Sequence, residues 1–245
     1  MGNCQGSRNS YTDPFQKACI TFENKLKLCD KDWKMMVAAI RSYALEDGSI
    51  PETAMKHIME ETGLNAVYEN KDCKLKEFLT DFIKDRVPQS TCLVYLALFM
   101  CGGKDALRME HFCWALNKMD LSKTVIQCEA LRGVLECLMK LSLCTIPQMA
   151  GVTELKDEVP KLDIAELVCK WCPDCGKETM TIDEFKAWGL KCCNFCPGEA
   201  RAVALKILRP EPKPKEKKAP REEAKETTDT QVKDTDELKP TKATA

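Results

Sequence analysis

The chain has 245 residues, of which 44% are hydrophobic, with a formal net charge of -1 and 16 cysteines. That length and apolar content can bury a sizeable core, in one domain or two small lobes. A near-zero charge lacks the basic face expected of a DNA or RNA binder, so no nucleic-acid partner is expected.

The chain starts Met1-Gly2-Asn3-Cys4-Gln5-Gly6-Ser7-Arg8. Removal of Met1 leaves Gly2 with an unhindered amine suited to myristoylation, and Cys4 lies close enough to the same membrane surface to take a palmitate. The usual motif has Ser or Thr at the sixth position; here it is Gly6, with Ser7 one place later. A single myristoyl chain binds membranes with a partition constant of only about 10⁴ M⁻¹, so a second signal is needed, and Cys4 is the candidate. Basic residues near this end are few, Arg8 and Lys17 among them. The expectation is a protein lipid-anchored at the cytoplasmic face of a membrane, with some of it cytosolic. No apolar signal peptide precedes the cysteines, which therefore read as thiols rather than a disulfide scaffold.

From residue 15 onward the pattern is helical. Phe15, Cys19, Phe22, Leu26, Cys29, Trp33, Met36 and Ile40 recur at spacings of three and four, which draws a stripe on one helix or on two if Asp30 or Asp32 caps a second. Further helices are expected at 52–61, 74–85, 109–117 and around Leu131–Leu141, and almost nothing alternates with period two. The apolar run from Cys92 to Cys101 is far shorter than the roughly 18 residues of a membrane span and reads as a buried helix. Pro147, Gly151 and Pro160 punctuate a polar connection, after which helices resume at 164–171 and 183–191. Beyond Leu208 the composition turns to Pro, Lys, Glu, Thr and Asp, too polar to offset chain entropy by burial. The expected organisation is all-α: a lipid-anchored segment (1–14), an N-terminal helical lobe (15–146), a linker with a Cys-rich helix pair (147–207) and a disordered charged tail (208–245).

The most specific internal pattern is Pro173-Asp174-Cys175-Gly176-Lys177-Glu178-Thr179-Met180-Thr181-Ile182-Asp183-Glu184-Phe185. Its second half resembles the end of an EF-hand calcium loop, with Met180 at the apolar eighth position that pairs between loops, Glu184 at the twelfth, and Phe185 opening the exiting helix. Calcium needs six to eight oxygens, yet Pro173, Cys175 and Lys177 occupy ligand positions and Glu178 stands where the turn glycine belongs. Two further segments match less fully. In 43–54, Asp47, Gly48, Ser49 and Ile50 fit positions five to eight; in 100–111, Leu107 falls at position eight and His111 at position twelve. Neither has a calcium ligand set, so residual ion binding by a calcium sensor is the alternative rather than the reading.

The Met-Gly-Asn start, these degenerate loops and the run Ile182-Asp183-Glu184-Phe185-Lys186-Ala187-Trp188 resemble two groups. One is the myristoylated neuronal-calcium-sensor and calcineurin-B-like EF-hand proteins. The other is the EF-hand-like helical region preceding the TLDc domain in myristoylated TLDc-family proteins, and the irregular spacing between the three candidate loops of this chain fits that second group better. The resemblance implies EF-hand-like helix pairs with a groove for a partner's amphipathic helix, and nothing of the TLDc domain itself is carried over.

Cys172, Cys175, Cys193 and Cys196 form C-x2-C-x17-C-x2-C, a spacing that suits a four-thiolate zinc site and defines a second alternative, a zinc-binding structural module. Packed thiols remain the preferred account, because cysteine is dense along the whole chain and serves well as a small buried apolar residue. No nucleophile-base pair, phosphate-binding glycine loop or HExxH motif is present, and the two histidines, His57 and His111, read as surface or helix-packing residues rather than catalysts. The expectation is a membrane-anchored, calcium-independent adaptor or regulatory protein rather than an enzyme.

Overall fold

The computed structural model describes residues 13–84, 86, 88–102, 106–117, 122–152, 163–192 and 195–208, the side chains of 106 and 190–192 excepted. Gly2, Cys4, Cys193 and the tail beyond 208 lie outside the described residues. The described residues belong to one unit, Met1–Pro210, and are mostly helical.

Helix α1 (Pro14–Lys25) begins where Asp13 accepts a hydrogen bond from the Phe15 amide and Pro14 sets the first helical φ. Phe15, Cys19 and Phe22 face the core, and Lys27 in the left-handed region (φ 55°) ends the run. The stripe read from the sequence is thus two helices, and Asp32, whose side chain accepts from the Lys34 amide, caps α2 (Trp33–Tyr43). Helices α3 (Glu52–Glu61), α4 (Asn65–Glu69) and α5 (Leu75–Ile83) follow, and α6 (Gln89–Met100) carries the long apolar run. α6 buries seven of its residues from Leu93 to Met100, and no helix among the described residues is long and apolar enough to cross a membrane.

After α7 (Ala106–Leu116) comes a strand, β1 (Val125–Gln127), then α8 (Cys128–Lys140). α8 runs through a π-helical turn (Leu141–Thr145) into α9 (Ile146–Met149). Pro147 lacks an amide and its ring would strike a carbonyl one turn earlier in regular α-helix, and the wider turn accommodates it. Position 147, expected to open a linker, therefore sits inside a helical rod that stops at Gly151 with φ 72°. The carboxyl-terminal part holds α10 (Ile164–Trp171), β2 (Thr179–Thr181), α11 (Ile182–Cys192) and α12 (Pro197–Leu208).

Trp33, Phe15, Phe78, Phe82, Phe99, Phe112, Phe185 and Phe195 are fully buried. An aromatic chain runs through this core: Phe99 to Phe112 at 5.6 Å, Phe112 to Phe195 at 4.7 Å, and Phe195 to both Phe185 and Trp188 at 5.5 Å. α1 packs on α9 and α12, so the first and last described helices touch. Arg201 of α12, with no exposed surface, donates to Glu23 of α1 at 2.7 Å. Its Nε and Nη2 find no partner among the described residues, and Cys19 beside it is pushed up to about 11 chiefly by burial.

Candidate functional site

The best-defined sequence pattern, residues 173–185, forms a bounded loop between α10 and α11. α10 starts at Asp163, which accepts from the Glu166 amide at 3.0 Å, and ends at Cys172. A single 3-10 turn (Pro173–Gly176) follows, closed by the Cys175 amide donating to the Cys172 carbonyl at 3.0 Å. The chain then enters β2, which pairs antiparallel with β1 so that Ile126 lies opposite Met180, both buried. Two bonds extend this pairing, Cys128 amide to Glu178 carbonyl at 3.0 Å and Ile182 amide to Thr124 carbonyl at 3.2 Å. The strands join the loop between α7 and α8 to the loop between α10 and α11.

Three charged side chains of this loop, Asp174, Lys177 and Glu184, lie together. Lys177 Nζ sits 2.8 Å from Asp174 Oδ1 and 3.9 Å from Glu184 Oε1, and the Asp174 contact holds the lysine above its ordinary range. Glu184 Oε2 accepts from the Thr181 amide at 2.8 Å and the Thr181 hydroxyl at 2.9 Å, while Thr181 Oγ1 accepts from the Glu184 amide at 3.2 Å. This reciprocal pair is a capping box for α11. The backbone bond from Thr181 leads the causes that hold the Glu184 carboxyl below its usual value.

In the segment 43–54 the centre is a tight turn. Asp47 accepts from the Ser49 amide at 2.8 Å, its carboxyl is lowered first by the Ser49 side chain and then by that amide, and the Gly48 amide donates to Leu45 at 2.8 Å. Gly48 has φ 76°, and a Cβ there would collide with Pro88. The loop meets the start of α6 rather than a strand: Ser90 amide donates to Gly48 carbonyl at 2.9 Å, and the amide of buried Ile50 donates to Gln89 Oε1 at 2.8 Å.

Segment 100–111 departs from the sequence expectation. α7 already begins at Ala106, so Leu107 lies on a helix, 47% exposed, and is not a pairing position. The adjoining backbone meets α2 instead, with the Gly102 amide donating to Lys31 at 2.7 Å and the Trp33 amide to Gly102 at 3.3 Å. His111 falls inside α7, its ring 4.5 Å from Trp33 and its Nδ1 3.0 Å from the Leu107 carbonyl. The irregular partner reflects backbone groups at a helix end that must find bonds wherever the fold offers them.

Cys172 and Cys175 are buried together, and Cys128 joins them through Sγ donating to the Asp174 carbonyl at 3.6 Å. Cys196 stands next to Arg201 at the head of α12. Among the described residues no three His, Cys, Asp or Glu are arranged to hold a metal ion. The Cys175 thiol, bonded to Cys172, holds Cys172 below the ordinary thiol range, while the same bond and burial push Cys175 up.

Besides α12, two further features have no counterpart in the sequence reading. One is β1, whose three residues carry a single buried side chain, with β-branched Thr124-Val125-Ile126 as the available signal. The other is an open cleft of about 480 Å³ at the start of α1, lined by Pro14, Lys17, Lys25, Asp72, Lys74 and Met149 among others. It brings Lys74 beside the two α1 lysines. No family model matches the chain, and no curated protein or solved structure shows significant similarity to it.

Proposed function

We propose that this protein is a lipid-anchored, calcium-independent adaptor or regulatory protein whose body is built from EF-hand-like helix pairs. The observation that carries this reading is the loop between α10 and α11. An apolar residue pairs across to a second helix-flanked loop, as Met180 does with Ile126, while the ammonium of Lys177 lies between Asp174 and Glu184 where a calcium loop would hold its ion. The partner loop ahead of β1 places Lys123 and Val125 near the equivalent ligand positions. A lysine cation and a carboxylate engaged in a helix cap leave too few oxygens for a hard dication. The loop then works as a fixed strut.

Anchoring rests on Gly2 and Cys4, supplemented by Lys17, Lys25 and Lys74 around the cleft where α1 begins. Each lysine near an anionic surface contributes about 1 kcal/mol, which supplements a weak acyl chain. For the protein partner, Leu107, His111 and Trp114 share one face of α7, and the Arg41 guanidinium lies 3.6 Å from the Trp114 ring centre. Trp and Arg are the side chains that most often dominate protein interfaces.

The test combines fractionation with calorimetry. Gly2→Ala should move the protein from membrane to soluble fractions, and retention equal to wild type would refute the anchor. Titration with micromolar calcium should give no saturable heat, and a saturable signal would restore the sensor reading.

A further inference from the structure

The turn Cys172-Pro173-Asp174-Cys175 brings two thiols into a geometry that the proposed adaptor role does not use. The Cys175 amide donates to the Cys172 carbonyl at 3.0 Å, closing a turn across which the two Cα atoms lie less than about 7 Å apart. Disulfides form at Cα separations of about 4.4–6.8 Å. Both side chains are buried in this one turn, and each thiol is the leading influence on the ionisation of the other.

We infer that Cys172 and Cys175 form a reversible intrachain disulfide by exchange with a small soluble disulfide of the glutathione class. The attacking group must be a thiolate, and Cys172, stabilised by the Cys175 thiol and the turn's amides, is the member of the pair in that role. Cys19 and Cys113, by contrast, are pushed up to about 11 by burial and stay protonated.

In the first step the Cys172 thiolate attacks one sulfur of glutathione disulfide, whose S–S bond breaks and releases one glutathione thiolate. In the second, Cys175 loses its proton to solvent and its sulfur attacks Cys172 Sγ, expelling the second glutathione thiolate. Both released thiolates take up protons. The protein dithiol is oxidised by two electrons, and one glutathione disulfide is reduced to two thiols.

Both sulfurs are shielded, with Cys172 at 0% and Cys175 at 3% exposure, so exchange requires local opening of the four-residue turn. Residues 176 and 177 just beyond it are exposed, and the turn runs directly into β2. A ring this short adds little stability through chain entropy. The couple therefore acts as a chemical handle beside the β1–β2 pairing.

Full-length reduced protein equilibrated in buffers of increasing glutathione disulfide, acid-quenched, alkylated under denaturing conditions and digested with trypsin reads the site directly. The tryptic peptide 171–177, WCPDCGK, carries both cysteines and should become two hydrogens lighter and refractory to alkylation, in a single transition reversed by reduced glutathione. Cys175→Ser should instead accumulate glutathione on Cys172, because the resolving thiol is missing. Exposed Cys169, in peptide 162–170, reports that the oxidant was active. Full alkylation of Cys172 and Cys175 while Cys169 is modified would overturn the inference. So would a bond from either cysteine to Cys128 or Cys169, or tightly bound zinc that protects the pair in purified reduced protein.

Discussion

Two pairs of helix-flanked loops meet in this molecule, and they do so by different chemistry. Toward the carboxyl end β1 and β2 form a short ladder in which Ile126 and Met180 are buried and their neighbours exposed, and a capping box starts the next helix. Toward the amino end the described residues form no strand. There the 43–54 turn is fixed by a left-handed glycine against Pro88, one backbone bond from Ser90 and one side-chain bond from Gln89. Backbone groups at loop ends must be satisfied, yet the fold accepts either a ladder or a glycine with a borrowed amide. The second solution depends on single residues that have no substitute.

The largest effect should come from the contact that ties α12 to α1. Glu23→Ala leaves Arg201 as an uncompensated cation with no exposed surface, and breaking a buried pair in this way costs about 3 kcal/mol or more. Urea unfolding should show the loss, with hydrogen exchange accelerating together at the Ser90 and Ile182 amides. Acceleration at one region only would divide the molecule into independent halves. Gly48→Ala, forced into a left-handed conformation against Pro88, should cost about 2 kcal/mol, with faster exchange confined to the Ile50 and Ser90 amides. Thr181→Ala removes the hydroxyl of the capping box and should cost about 1 kcal/mol, read at the first amides of α11. Because the Glu184 carboxyl is depressed in the folded protein, its cap contributes above the ordinary glutamate range and is lost as pH falls through the folded value. Glu184→Gln should therefore flatten the acid limb of a thermal melting profile recorded with wild type as reference.

The helices were legible because their apolar residues recur at three and four, and the alternative break before Trp33 followed from Asp32, which does cap α2. β1 was not legible: three residues with one buried side chain carry too little alternation to register as a period of two. The 100–111 segment misled because a loop match weighs residue types, whereas the backbone there is held by residues 31–33, far away in sequence. No helix was expected at 197–208, although Pro197 stands at the first helical position, where proline is favoured. In the candidate site, the residue pattern puts Glu184 at the twelfth position of a degenerate loop, while its contacts make it the capping-box partner of Thr181, a role that the Thr-x-x-Glu pattern in the same residues also signals.

The pairing of α1 with α9 and α12 has a consequence for how the chain is made. Phe15, Cys19 and Phe22 emerge from the ribosome first, but the Arg201 that meets Glu23 follows 178 residues later. At about 5–20 residues per second, the first helix waits on the order of ten to forty seconds for its last partner. Through that interval its apolar face has no complete cover. Final burial of α1 marks the moment when the whole domain has arrived.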